Sequence, residues 1–206
     1  MVHVECGAAA VNKGGALPGM FRARKEVFVD LLKWDLPVLD GQFEIDAFDN
    51  EQAEYLIVTG EADSHLGSAR LLKTTGPHIL GDLFPFLCAG DVPCGRSILE
   101  ITRFCLDRHQ CARDRRQTRN RLVSALVAHA LNRGIHTYTG VAEIGWLQQI
   151  LAFGWRCRPL GPPRQLECGM LGALAIEIDA NTPALLAATG IWTSEPLQTF
   201  DLADAA

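Results

Sequence analysis

The sequence predicts an α/β (α+β) domain in which helices cover both faces of a mixed β-sheet. The chain has 206 residues, of which 48% are hydrophobic and 21% charged, a balance typical of folded globular domains. Two β-type segments follow one another in the first half, and strands alternate with helices in the second half. A chain of this length can build one sizeable core, so we expect a single domain over residues 1–206.

The first half is predicted to contain one helix, one long loop and two strands. Apolar residues recur at helical spacing from Met20 to Leu32, directly after a Pro-Gly start signal. Residues 39–54 are acidic and lack a sustained period, which indicates a loop able to fold over a ligand. Strands at 55–59 and 67–72, joined by a polar turn, are typical of a hairpin.

The second half shows the alternation of strands and helices. Residues 97–106 are rich in β-branched and aromatic side chains, which favours a central strand. A long helix is predicted from Gln117 until Gly134 ends it. The remaining predicted elements are a short helix at 80–87, a strand at 136–141, a helix at 146–151, a strand at 173–178 and a helix at 182–188.

Charge is segregated along the chain. Residues 30–63 contain ten carboxylates and a single cation, whereas residues 103–121 contain seven arginines against two aspartates. One region therefore suits a cation and the other an anion. The net charge of -5 argues against a nucleic-acid partner.

Several classes of protein and site are not expected. The chain contains no P-loop, no GxSxG elbow and no HExxH motif. Seven cysteines without a CxxC pair make a disulfide framework unexpected, and the spacing of Cys105, His109 and Cys111 fits no common zinc site, so no metal is expected. The chain has no membrane-length apolar run and its start lacks a charged signal region, so we expect a cytoplasmic protein without a membrane partner.

A set of charged and aromatic residues carries the functional signal. It lies in the segments RARKEVFVDLLKW, EIDAFD, GSARLL and LEITRF, and consists of Arg24, Phe28, Trp34, Asp46, Asp49, Arg70, Glu100 and Arg103. In these positions, between about Met20 and Trp155, the sequence resembles the acyl-homoserine lactone synthases that make quorum-sensing autoinducers. The stretches GSARLLKTTGPHIL and DLFPFL are also similar to that family.

The resemblance implies a GNAT-like, three-layer α-β-α fold with a mixed, mostly antiparallel sheet. It implies an acyltransferase in which the α-amine of S-adenosylmethionine attacks an acyl thioester and the methionyl carboxylate then displaces methylthioadenosine to close the lactone. S-adenosylmethionine is thus a consumed substrate and no cofactor is expected. Residues 1–54 would form the S-adenosylmethionine side, and residues 55–206 the sheet and acyl-binding core.

The family likeness also assigns roles in the chemistry. Glu100 is the candidate base for the α-amine, directly or through water, because that amine is mostly protonated near neutral pH. Glu100, Arg103 and Asp46 are the predicted catalytic residues. The predicted S-adenosylmethionine-binding residues are Arg24, Phe28, Trp34, Asp46, Asp49, Arg70 and Arg103. Carboxylates and aromatic faces favour a sulfonium and an ammonium, whereas the arginines could pair with these carboxylates or with the substrate carboxylate.

The acyl group and its carrier are predicted to meet other segments. The predicted acyl-binding residues are Thr102, Phe104, Thr139, Gly140, Ala142 and Trp146. An arginine cluster in ARDRRQTRNR, which lacks the glycines of ordinary acetyl-coenzyme A users, favours docking of an acidic acyl carrier protein over acyl-CoA. The predicted docking residues are Arg113, Arg115, Arg116 and Arg119.

Two other functions remain open from the sequence, namely an N-acetyltransferase for another amine and a non-catalytic sensor of S-adenosylmethionine or of an acyl thioester. A further question concerns Glu100 and Arg103, which would face opposite sides of a regular strand because they are three residues apart. A β-bulge, common in the corresponding strand of GNAT-like folds, would remove that conflict.

Overall fold

The structure is a computed structural model that describes residues 1–7, 15–167 and 169–194, together with the backbone of residues 197–199. Cys168 lies outside the described residues. The first elements are β1 (Val2–Cys6), α1 (Leu17–Arg24), a π-helix (Lys25–Leu31), β2 (Val38–Leu39), β3 (Phe43–Glu44), β4 (Glu54–Thr59), a 3₁₀ turn (Glu61–Asp63) and β5 (His65–Lys73).

The later elements include the predicted strands and helices in the expected order, together with three short strands that were not predicted. They are α2 (Ile79–Asp82), a 3₁₀ turn (Pro85–Leu87), β6 (Ile98–Leu106), α3 (Ala112–Arg133), β7 (Thr137–Glu143), α4 (Ile144–Leu151), β8 (Arg156–Pro159), β9 (Arg164–Leu166), β10 (Gly169–Glu177), α5 (Thr182–Ala188) and β11 (Leu197–Thr199). Among the described residues, no helix is both long and apolar enough to cross a membrane.

The chain forms two compact units, and the division between them falls within β5, β6 and α3. The first unit takes its described residues from 1–70, 103–125 and 194–206. In it, β1 pairs in parallel with β11 and antiparallel with β4. The short strands β2 and β3 form a separate antiparallel pair.

The second unit takes its described residues from 71–102 and 126–193. Here β10 pairs antiparallel with β7, β8 and β9. Strand β6 runs parallel to β7 and pairs with it over Ile98–Glu100. Antiparallel pairs therefore predominate in a mixed sheet, which confirms the predicted α/β fold class. The predicted division of the chain at residues 54 and 55 stays a prediction.

The predicted first helix is present, but its second half is wound differently. Leu17, Met20, Phe21 and Arg24 are buried along one face of α1, at the spacing that puts side chains on one side of an α-helix. From Lys25 the chain continues as a π-helix, with the N–H of Leu32 bonded to the carbonyl of Val27, five residues back. Such wider turns occur frequently at functional sites.

The acidic segment predicted as a long loop contains the short hairpin of β2 and β3. Its turn is made by Asp40 and Gly41, whose φ angles are +52° and +67°, and the N–H of Gln42 closes it onto the carbonyl of Leu39. Asp-Gly is a favoured dipeptide for such a turn, because both central residues need positive φ. The hairpin brings Glu44, at the end of β3, into the buried interior of the first unit.

Candidate active site

Three arginines and three carboxylates of the first unit form a closed ring of ion pairs. Going round this arginine–carboxylate ring, the members are Arg24, Glu44, Arg103, Asp46, Arg70 and Asp49. Each arginine contacts two carboxylates, and each carboxylate contacts two arginines. The six nitrogen–oxygen contacts measure between 2.5 and 3.1 Å, distances at which arginines and carboxylates form charge-assisted contacts.

Two of the arginines each bind one aspartate through two guanidinium nitrogens. Arg24 donates to the two oxygens of Asp49 at 2.8 Å each. Arg70 donates to the two oxygens of Asp46 at 2.6 and 3.1 Å. This planar, two-pronged geometry fixes the orientation of both carboxylates, which lysine could not do.

The ring is buried on all but one edge. The side chains of Arg24, Glu44, Arg70 and Asp49 are at most 1% exposed, whereas those of Arg103 and Asp46 are each 10% exposed. Nε of Arg103 and its Nη2 both donate to Glu44, and Nη2 also donates to Asp46 at 2.7 Å. A ligand reaching this ring therefore meets the Arg103–Asp46 edge first.

The backbone conformation at Arg103 and Asp46 positions the exposed edge of the ring. Arg103 has a φ of +49° within β6, a left-handed conformation that is uncommon outside glycine. Such a residue interrupts the two-residue alternation of a strand, as a β-bulge does. Asp46 is held on the other side of the edge, where its Oδ1 accepts the N–H of Phe48 and its own N–H donates to Asp49.

The ring shifts the pKa of Asp49 and of a neighbouring phenol. Burial by itself would raise the pKa of Asp49, but the hydrogen bonds and charges of Arg24 and Arg70 outweigh it and hold that pKa well below its usual range. Burial and the charge of Asp49 raise the pKa of Tyr55. The Tyr55 hydroxyl thus stays protonated and donates to Asp49 at 2.9 Å.

An aromatic ring lies beside each arginine of the set. The guanidinium of Arg24 lies 5.1 Å from the centre of Phe21, and that of Arg70 lies 5.8 Å from Phe48. Arg103 lies 5.7 Å from Phe28, which in turn stacks on Trp34 with ring centres 5.0 Å apart. The exposed edge of the ring is therefore continued by a pair of aromatic faces suited to a cation or a flat base.

The predicted base, Glu100, belongs to the second unit and lies on β6. It is fully buried, and its Oε1 accepts the backbone N–H of Leu80 at 2.9 Å. In the parallel pairing of β6 and β7, Glu100 lies opposite Thr139. A backbone N–H thus holds the carboxylate, and the main chain of Glu100 lies opposite a residue of the predicted acyl-binding set.

The other predicted acyl-binding residues divide between the units. Thr102, Thr139, Gly140, Ala142 and Trp146 belong to the second unit, whereas Phe104 belongs to the first. Thr139, Gly140 and Ala142 all lie on β7, and a Cβ added at Gly140 would lie 3.2 Å from the carbonyl oxygen of Ile101. Glycine at this position allows β6 and β7 to approach closely.

The predicted docking residues lie at the start of α3. Arg113, Arg115 and Arg116 are exposed, whereas Arg119 is half-buried and donates to the side-chain oxygen of Asn120 at 2.8 Å. A cavity of about 270 Å³ lies in the same region. Its lining residues are Leu66, Gln110, Asp114, Gln117, Thr118 and Arg121.

Sequence reasoning did not single out two members of this site. Glu44 completes the ring, and Tyr55 supports Asp49 from outside it. Glu44 could have been found from its place in EIDAFD, beside Asp46 and Asp49. Buried charges are paired, so three arginines in a buried set require a third carboxylate. Tyr55 gave no such signal, because a tyrosine in a buried strand is usual.

The comparison with known proteins identifies a single family. The sequence profile of the family described as autoinducer synthase matches residues 11–183. An acyl-homoserine-lactone synthase of Ralstonia nicotianae is 33% identical over 191 residues, which is 87% of this chain and 93% of that protein. The acyl-homoserine-lactone synthase of Pseudomonas aeruginosa is 30% identical over 183 residues, covering 83% of this chain and 86% of that protein.

Solved structures agree with the sequence relatives. The CoA-dependent acyl-homoserine lactone synthase BjaI, solved with MTA, aligns at a TM-score of 0.83 and 28% identity over 97% of this chain and 93% of that one. An acyl-CoA N-acyltransferase from Pseudomonas aeruginosa, at a TM-score of 0.56 and 12% identity over 85% and 98% of the two chains, shares the fold alone. This chain belongs to the autoinducer synthase family and is an acyl-homoserine-lactone synthase, an acyltransferase.

Proposed function

We propose that this enzyme makes an N-acyl-L-homoserine lactone from S-adenosylmethionine and an acyl thioester. The observation that carries the proposal is the arginine–carboxylate ring, with its single exposed edge of Arg103 and Asp46 next to the Phe28–Trp34 stack. A negative oxygen, a guanidinium and an aromatic face in one place match the ammonium, carboxylate and sulfonium of S-adenosylmethionine. In support, one related synthase was solved with SAM and isopentyl-CoA.

The ring members have different tasks in this proposal. Asp46 would accept the α-ammonium group, and Arg103 would pair with the methionyl carboxylate, because these two side chains form the exposed edge. Arg24, Glu44, Arg70 and Asp49 are buried and act as positioning residues that hold the edge in place. A preformed charged edge lowers the reorganisation needed when the substrate binds.

Glu100 is the proposed base of the acyl transfer. Glu100, directly or through water, takes one proton from the α-ammonium group, whose pKa in free form is about 7.7 to 8.0, and the resulting amine nitrogen attacks the thioester carbonyl. The carbon–sulfur bond of the thioester then breaks, the nitrogen loses its second proton, and that proton leaves on the thiol. In the second step an oxygen of the methionyl carboxylate attacks the γ-carbon, and the carbon–sulfonium electron pair leaves with methylthioadenosine.

Replacement of Glu100 tests this role. Glu100→Gln keeps the size of the side chain and its acceptor oxygen, so the fold and S-adenosylmethionine affinity should persist while kcat falls by about 10²- to 10⁴-fold. Glu177→Gln, an exposed position on β10 of the same unit, is the matched control and should leave kcat unchanged. Turnover of Glu100→Gln near that of the control would remove Glu100 as base.

The S-adenosylmethionine side has its own test. Asp46→Ala and Trp34→Ala should weaken the binding of S-adenosylmethionine in calorimetry more than the binding of the acyl donor. Asp46 belongs to the exposed edge, and Trp34 belongs to the aromatic stack beside it. Asp35→Ala, an exposed carboxylate next to Trp34 in the sequence, serves as control. Equal losses of affinity for both ligands would contradict the assignment.

An acyl carrier protein is the proposed acyl donor. The exposed arginines at the start of α3 offer a positive surface to an acidic carrier protein, and such pairing accelerates association at low salt. Reversing Arg113 and Arg116 to Glu should raise KM for the carrier-bound donor and flatten its dependence on ionic strength. An unaltered carrier KM would contradict this docking surface.

Acyl-CoA is the second candidate donor, because two of the structural relatives are described as CoA-dependent synthases. The deciding measurement is kcat/KM for one acyl group on both carriers, with the wild-type protein. A large preference for the coenzyme A thioester would favour this second candidate. In that case, the reaction of the reversed protein with acyl-CoA should depend less on salt than a reaction with a carrier-bound donor would.

A further inference from the structure

We propose that His78 and Gly81 are positioning residues for Glu100, and that they act through the backbone N–H of Leu80. The inference rests on the proposed role of Glu100 as base. It concerns α2, a four-residue helix of the second unit whose first turn lies against the Glu100 carboxylate. None of the functional sets predicted from the sequence includes a residue of this helix.

The contact itself joins distant parts of the chain. The N–H of Leu80 donates to Oε1 of Glu100 at 2.9 Å, across twenty residues of sequence. A backbone N–H cannot rotate independently as a hydroxyl can. The position of this donor is therefore set by the position of α2. The Leu80 side chain anchors the helix on one side, fully buried in an apolar cluster with Leu87, Leu171 and Ala173.

The imidazole of His78 provides a second anchor. It is only 6% exposed, and its Nδ1 lies 2.8 Å from the carbonyl oxygen of Gly76, so Nδ1 carries a proton and donates it. The carbonyl of His78 also accepts the N–H of Asp82 within α2. The side chain of His78 thus ties the start of the helix to the preceding turn, while its carbonyl bonds to the last residue of the helix.

Gly81 leaves the space that this imidazole occupies. A Cβ added at Gly81 would come to 2.7 Å from Nε2 of His78 and closer still to Cε1. Carbon atoms do not approach a buried ring that closely, so either the ring or the helix must move. His78 and Gly81 are therefore packed directly against each other, and Leu80 is one of the two residues between them in the chain.

The hydrogen bond has a predictable effect on the base. A backbone N–H donated to a carboxylate stabilises the ionised form and so lowers the pKa of the carboxyl group. Weakening the bond should therefore raise the pKa of Glu100, and should let the carboxylate turn away from the amine it serves. Small displacements of a reacting group reduce kcat strongly, by up to about 100-fold for a shift of 1 Å.

The test uses a double-mutant cycle. Gly81→Ala should lower kcat by about 10-fold or more, leave KM for S-adenosylmethionine near that of the wild type, and move the acid limb of the kcat/KM profile to higher pH. His78→Ala should move the limb in the same direction. The double variant should match His78→Ala, because the collision has gone.

Controls separate this inference from loss of folding and from failure of the proposed base. Gly90→Ala, where a Cβ meets nothing within 4 Å, should behave as wild type, and circular dichroism should show all variants folded. A wild-type acid limb in both Gly81→Ala and His78→Ala, or additive effects in the cycle, would overturn the positioning role. If Glu100→Gln also kept full turnover, the proposed base would fail as well; if it lost turnover, only the positioning inference would fail.

Discussion

Arg103 donates to Asp46 at 2.7 Å from a strand position whose φ is +49°. The same guanidinium reaches Glu44 at 3.1 Å. A left-handed residue in the middle of a strand costs free energy, of order 1 to 3 kcal/mol, and persists where surrounding contacts favour it. Here two buried or nearly buried carboxylates supply those contacts, so the strand irregularity and the ion pairs depend on each other.

The ring should contribute strongly to stability through its buried members. Arg24→Met removes one of the two arginine partners of Glu44 and one of the two of Asp49, and we expect a loss of about 3 to 5 kcal/mol in the free energy of unfolding. Arg156→Met is the matched control, since its pair with Asp179 is exposed and should change stability by about 0 to 1 kcal/mol. Urea unfolding at pH 7 measures both free energies. Equal losses would show that the ring contributes no more to stability than an exposed ion pair does.

The same ring should make the protein sensitive to acid. The pKa of Asp49 is lower in the folded than in the unfolded chain, so its contribution is present above the unfolded pKa of about 3.9 and is lost as the pH falls below it. The unfolding free energy should therefore decline from about pH 5 downward. Asp49→Asn should be less stable at pH 7 and should show a shallower decline, whereas a parallel curve would exclude Asp49 as the cause.

No cysteine is expected to take part in catalysis. Burial raises the pKa of Cys105 to about 12 and that of Cys157 to about 11, so neither thiol forms the reactive thiolate near neutral pH. Replacing all seven cysteines by Ala or Ser should leave kcat near wild type in the folded protein. Intact-mass detection of an acyl-cysteine adduct during turnover would contradict the direct attack of the amine.

Gly140 should limit the length of the acyl chain. Because a Cβ there already comes to 3.2 Å from the Ile101 carbonyl, Gly140→Trp should shift the products toward shorter chains or block long donors. Gly145→Trp places the same side chain at an exposed position where a Cβ meets nothing within 4 Å, and it should keep the product profile. An unaltered profile for Gly140→Trp would locate the acyl group elsewhere.

Periodicity predicted most of the regular elements because most have one buried face. The helix at 182–188 was predicted with the bounds observed, and the strand at 97–106 differs by one residue. Strands β8 and β9 were not predicted, because they are short and largely exposed, with Arg156, Arg158 and Arg164 among their residues. Whether such strands form depends on long-range pairing with other strands, which a local sequence pattern does not indicate.

The candidate site shows a similar division between local and long-range information. The sequence showed an acidic region and scattered arginines, but not that three arginines would each connect two carboxylates. Arg24, Glu44 and Arg103 are brought together by contacts that span 20 and 59 residues. The winding of residues 25–31 as a π-helix was also not predicted, since its buried residues fit an α-helical pattern nearly as well.

The closed ring of three positive and three negative side chains constrains how this enzyme can change over time. At the four members whose side chains are at most 1% exposed, a single substitution that removes one charge leaves an uncompensated buried ion. Replacement of an arginine together with one of its two carboxylates keeps the interior electrically neutral and leaves an open chain of two pairs. Accepted variation at these six positions should therefore occur as coupled exchanges of opposite charge, and libraries for altered substrate choice should vary them in pairs.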